Sequence, residues 1–303
     1  MTSPFANLAL MAAHAVVTVA SAHDGLEELL AQAHAAVAKH PEALAPRVHR
    51  ASLYRQHQEW ELANLDLQAA VKISGADDPV VMLGQAELDL AQGRAAEAVP
   101  LLLQLLTKEN MSLVAHDRLG RAYAQIKQWR NCIEHLRTVI QQHPEPGPQH
   151  YMALSDAHRS AEDLEQAMAV LTRARKKFGP LLALEDRLAE LESQVGRHAD
   201  AIERITHVLD DAVRKEFWLA RRADLREAAG QLTLAHIDRL RALRLIDGPQ
   251  IRNEQSEATE CLRKALRDAI QKERAPTNED PSETDSASIR KGSGELGPQN
   301  PTE

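Results

Sequence analysis

Between Leu44 and Asp247, apolar residues recur three and four positions apart, interrupted at short intervals by polar, glycine-containing breaks. The stretch from Leu119 to Pro144, LGRAYAQIKQWRNCIEHLRTVIQQHP, shows the pattern in miniature. It holds a small pair (Gly120, Ala122), an aromatic pair (Tyr123, Trp129), a small residue at Cys132 and a closing proline. No Val/Ile/Thr-rich run alternates with the period of two that a half-buried strand requires. The pattern predicts an all-α chain of short helices joined in pairs.

Sliding the sequence by 34 or 35 residues brings it into register with itself, giving units at 44–77, 79–112, 113–146, 148–181, 182–215 and 216–249. The eighth position is small in every unit: Ala51, Ala86, Gly120, Ser155, Ala189 and Ala223. So is the twentieth: Ala63, Ala98, Cys132, Ala167, Ala201 and Ala235. Glycine opens the turn at the fifteenth position in three units, at Gly93, Gly196 and Gly230. Small residues let two helices approach where they cross. Leu67, Leu102, Leu136, Leu171 and Ile205 at the twenty-fourth position then fill the space against the neighbouring hairpin. No single hairpin buries its faces alone, so the units must stack. Pro100, inside a predicted second helix, removes one backbone hydrogen bond and is read as a kink near the helix start.

This period and these positions resemble the tetratricopeptide repeat (TPR). The resemblance runs from 44 to 249 and is strongest at 113–146, where Leu119, Gly120, Tyr123, Trp129, Cys132 and Pro144 fall where the family has them. Arg50 and Arg222 depart from it by replacing the leucine of the seventh position. The resemblance implies a right-handed superhelical solenoid of antiparallel helix pairs. About six repeats would follow an N-terminal half-repeat at 23–43 and precede a C-terminal capping helix within 250–274. Ala258, Cys261, Leu262, Ala265, Leu266 and Ile270 form that last helix's apolar stripe, so Cys261 is expected to be buried.

The two ends differ in character. Residues 275–303 are rich in Pro, Ser, Thr and Gly, with six acids and two bases and almost no apolar residues. They are read as a disordered acidic tail. Residues 1–22 carry no Asp, Glu, Lys or Arg, and their apolar run from Leu8 to Ala20 has the length of a signal-peptide core. Ala20-Ser21-Ala22 fits the cleavage rule, which would cut after Ala22 and leave His23 first. The basic residue usual before such a core is missing, and 10–22 also fits a first repeat helix paired with 24–41. The cleaved signal is the preferred reading. It implies a periplasmic or secreted protein; the other implies a cytoplasmic one.

Half of the formal charge of −8 sits in the tail, and a mildly acidic body disfavours nucleic acid as a partner. Cys132 and Cys261 form neither a CxxC pair nor a disulfide framework. The fourteen histidines are scattered and read as surface residues, and no metal or cofactor is expected. GxSxG, Walker A, GxGxxG and HExxH patterns are missing from the sequence. Ser155, Asp156 and His158 lie on one predicted helix and make no triad. The chain is therefore read as a non-enzyme.

What remains is the groove that the resemblance implies. There the first helices line a concave face through positions two, five, nine, twelve and thirteen. Mapped onto this chain, that face includes Arg55, Leu83, Glu87, Asp117, Arg121, Gln125, Met152, Asp156 and Arg159. It continues with Asp186, Glu190, Phe217, Asp224 and Glu227. Some TPR proteins clamp a C-terminal carboxylate with lysine at the fifth position and asparagine at the ninth. The pairs here are Val48/Ser52, Leu83/Glu87, Asp117/Arg121, Met152/Asp156, Asp186/Glu190 and Ala220/Asp224, and none matches. Arginines lie in the first four units and acids alone in the last two. These charges either orient a bound peptide or pair with one another. The expected function is a protein-binding scaffold taking a peptide or partner helix in the groove. The alternative is an assembly subunit that associates with itself through its terminal repeats.

Overall fold

The computed structural model describes residues 25–248 and 256–274. Residues 1–22 with the Ala22–His23 junction, and the tail at 275–303, lie outside them. The described chain is all-α, with fourteen helices arranged as sequential antiparallel pairs. Helix α1 (25–39) precedes α2 (Leu44–Gln56) and α3 (Trp60–Ser74). Then come α4 (Pro79–Ala91) and α5 (Ala95–Leu105), α6 (Ser112–Gln125) and α7 (Trp129–Gln142), and α8 (Pro148–Ser160) and α9 (Leu164–Phe178). The last pairs are α10 (Leu182–Gln194) with α11 (His198–Asp211) and α12 (Lys215–Ala228) with α13 (Leu232–Ile246), followed by α14 (Glu257–Arg274).

The turn inside each pair is the same in all six units. Its fifteenth residue is left-handed throughout: Gln58, Gly93, Lys127, Glu162, Gly196 and Gly230 have φ between 58° and 81°. The next backbone N–H reaches back five residues, as in Arg94 to the Asp89 carbonyl (2.8 Å) and Gln128 to the Tyr123 carbonyl (2.8 Å). This is a Schellman-type closure, and it holds whether or not the left-handed residue is glycine. Non-glycine residues therefore adopt a costly conformation in three turns, held there by the packed helices on both sides.

The small positions mark the crossing of the two helices. All twelve residues at positions eight and twenty are buried, the six at position twenty completely so. At α8/α9 the approach is direct: the Ser155 hydroxyl donates to the Ala167 carbonyl at 2.9 Å. At α6/α7 a Cβ on Gly120 would stand 2.6 Å from Leu136 Cδ2 and 2.8 Å from its Cγ, so the glycine makes room for the leucine of position twenty-four. Cys132 is enclosed at the same crossing, and burial pushes its thiol up to about 11, which leaves it unreactive at neutral pH. Pro100 lies inside α5, which stays helical through to Leu105 and, at 11 residues, is the shortest of the paired helices.

Helices α1 and α14 cover the open ends of the stack. Ala33 and Val37 of α1 are buried, and His34 Nε2 lies 3.1 Å from the Tyr54 hydroxyl. Leu262 and Leu266 of α14 join the cluster of Phe217, Trp218, Ala242 and Ile246. The expectation for Cys261 fails, because it is exposed. On a 3.6-residue helix it lies at the margin of the stripe that Ala258, Leu262 and Leu266 centre, so α13 does not cover it.

Candidate functional site: the first-helix face and its ion-pair ladder

Helices α2, α4 and α6 touch in succession, and side-chain ion pairs link α8 to α10 and α10 to α12. Most charges expected to line this first-helix face are paired across the repeat boundary. Glu87 at position nine accepts from Arg55 of the unit before (3.0 Å) and from Arg118 of the unit after (2.7 Å). Glu190 holds the equivalent place, accepting from Arg159 at 2.9 Å, with Arg221 at 3.9 Å. Asp156 pairs with Arg187, also one unit on. Asp186 is met by Arg221 at 2.6 Å, and the Gln125 amide donates to the Leu90 carbonyl at 3.1 Å. Each exposed rung is worth well under 1 kcal/mol, but repetition along the stack ties neighbouring units in register.

The ladder neutralises the acidic end that the groove positions suggested. Asp186, Glu190, Asp224 and Glu227 all have arginine partners; Glu190 takes Arg159 of the groove set, and the others take Arg221 and Arg239 from outside it. Arg118, Arg187 and Arg221 occupy the sixth position of their units, next to the fifth-position residues that sequence reasoning singled out. Their recurrence one step off the expected register was the signal that could have found them. Arg239 comes from α13 and reaches Asp224 at 3.7 Å and also Glu227. Arg121, with 65 % of its side chain exposed and Asp117 at 3.2 Å, is the most accessible of the arginines expected on this face.

Between α2 and α4 the face is different. A cavity of ≈ 80 Å³ opens there, lined by Val48, Ser52, Leu67, Val80, Leu83 and Gly84, with the Arg55–Glu87 pair at its rim. Its volume is several times the ~10–15 Å³ that one water needs. Gly84 makes the space: a Cβ there would stand 2.7 Å from Leu67 Cδ2. The fifth- and ninth-position residues of these units are thus walls of an apolar notch, where a carboxylate clamp would have placed lysine and asparagine.

The histidines are not all at the surface, which corrects the sequence reading. His158 is buried with Nδ1 3.3 Å from Asp163. His116 and His135 face each other with Nδ1 atoms 2.8 Å apart, and burial pushes both below the usual imidazole range. Among the described residues, no group of three or more His, Cys, Asp or Glu forms a metal site, and no helix is long and apolar enough to cross a membrane.

A family model described as tetratricopeptide repeat matches residues 115–146, the α6/α7 unit. The surrounding helix pairs have the same arrangement. That unit is a tetratricopeptide repeat, and the chain around it has a TPR-like fold. Solved structures agree on the TPR fold. A structure described as a functional characterisation of Pseudomonas aeruginosa pilF superposes with a TM-score of 0.53 at 15% identity, covering 71% of this chain and 96% of that one. A tetratricopeptide repeat protein from Parabacteroides merdae gives 0.53 at 14%, covering 82% and 94%. The Cut9–Hcn1 hetero-tetramer of the APC/C gives 0.52 at 14%, covering 80% and 46%. No curated relative matches this chain.

Proposed function

We propose that this chain is a non-catalytic scaffold that holds a peptide or partner helix along its first-helix face, anchored by an apolar side chain in the α2/α4 notch. The notch carries the reading. It is an apolar recess on a face whose charges are largely engaged with each other, and buried apolar anchors supply most of the energy in such contacts. Fixed ion pairs around it set orientation and exclude mismatched partners. The test is to pan displayed random peptides against the full chain. The selected peptides should share one small or branched apolar residue. Leu83→Asp should weaken them at least about tenfold, the loss expected for one buried anchor, with the helical melt unchanged. Unchanged affinity with an intact melt sinks the groove assignment.

The same proposal places the scaffold outside the cytoplasm. The uncharged run from Leu8 to Ala20 and the small residues at Ala20 and Ala22 support it. The chain isolated from its own cells should begin at His23; one beginning at Met1 or Thr2 removes export from the proposal.

A further inference from the structure

The outer faces of the second helices are not alike along the array. At positions nineteen and twenty-two the four interior units carry Glu97, Asn131, Gln166 and Asp200, then Pro100, Glu134, Ala169 and Glu203. The first and last units carry leucine or isoleucine at both places. On α3 these are Leu62 and Leu65, 40 % and 59 % exposed. On α13 they are Leu234 and Ile237, 44 % and 37 % exposed. Each pair is three residues apart and so forms one stripe of its helix. The capping helices do not account for them: α1 and α14 pack against the ends of the stack, and both stripes stay open with the caps in place.

The flanking charges differ in sign. Exposed Glu61 sits beside the α3 stripe, while the α13 stripe runs on into exposed Arg241 and Arg244. Among the described residues, none of these three has an ion-pair partner. An α3 face laid antiparallel on an α13 face joins apolar to apolar and sets Glu61 near the arginines. Two α13 faces would instead bring four arginines into one contact.

We propose that the α3 and α13 faces are the two halves of one joint, through which a second copy of this chain docks end to end. The halves lie at opposite ends of the array, so the contact is heterologous and leaves a free half on each side. It needs neither the notch nor the peptide that the groove reading invokes. The apolar area is small for a stable interface, so the joint is weak and concentration-dependent.

Sedimentation or light scattering of the full chain between about 1 and about 200 μM, the range of micromolar affinities, should show a mass rising beyond the monomer. Two surface variants make the test specific. Leu62→Asp/Leu65→Asp and Leu234→Asp/Ile237→Asp should each be monomeric alone with an unchanged helical melt. Mixed one to one they should give a dimer and nothing larger, because one intact half remains on each. Glu61→Arg should weaken association at least about threefold, and adding Arg241→Glu with Arg244→Glu should restore it, the behaviour of one charge contact. Leu83→Asp should leave the mass unchanged, which separates this joint from the groove. A full chain that stays monomeric at the top concentration overturns the proposal and leaves the faces to another protein or to the chain's own outer residues. A mixture that stays monomeric, or a variant that still associates alone, overturns it as well.

Discussion

Asp238→Ala should cost the protein about 3–5 kcal/mol, the penalty for removing one partner of a buried ion pair. Asp238 is completely buried on α13 and holds two arginines of α12: Arg222 grips it through two bonds at 2.8 and 2.9 Å, and Arg226 donates at 2.6 Å. Alanine leaves the Arg222 guanidinium, itself only 10 % exposed, without its carboxylate. Replacing both ends, Arg222→Leu with Asp238→Leu, should recover most of the loss, because leucine is what the family places at the seventh position and an apolar pair carries no desolvation penalty. Arg226 can then turn to solvent from the helix end. Denaturant melts of the two variants and the parent decide it. A single-variant loss under about 1 kcal/mol would mean the carboxylate is not an essential neutraliser.

The same pair explains how far the sequence could be read. Stacked hairpins, their crossing points and their capping helices follow from local rules: which positions must be small, and which stripe must be apolar. Arg50 and Arg222 appeared only as departures from the repeat. In the structure each reaches an aspartate sixteen residues on, Arg50 to Asp66 at 2.7 Å and Arg222 to Asp238. Positions seven and twenty-three change together, an arginine with an aspartate, in these two units alone. That signal lay in the sequence, but it links two helices and is invisible to a reading of one face at a time. The ladder on the first-helix face was hidden for a similar reason. Its arginines at Arg118, Arg187 and Arg221 sit one residue away from the groove positions, and their partners are a whole unit distant. The turns at Gln58, Lys127 and Glu162 copy the glycine turns without glycine, because tertiary packing imposes the left-handed residue where local preference opposes it. Cys261 failed because periodicity gives a stripe's direction but not its width.

Asp224→Asn should stabilise the protein at neutral pH, and the gain should vanish in acid. Asp224 of α12 lies within the last unit with its side chain 18 % exposed, near Arg239 at 3.7 Å. Burial outweighs the nearby arginines and pushes the carboxyl up to about 6 from its ordinary 3.8. The folded protein then binds a proton there more tightly than the unfolded chain does. Between pH 4 and 6 the native state holds more protons, so stability falls as pH rises through this window and levels off above it. At pH 7.5 the ionised group costs up to about 3 kcal/mol relative to a neutral side chain of the same shape. Asparagine supplies that neutral side chain, and Arg239 keeps Glu227 and Glu273 as partners. The quantity to measure is the difference in unfolding free energy between Asp224→Asn and the parent across pH 4 to 8, which cancels every other titrating group. It should be near zero at pH 4, rise through pH 5 to 6 and hold level above. A difference that is flat across the range, or largest in acid, would show that the carboxylate is at ease in its site and that Arg239, rather than burial, governs it.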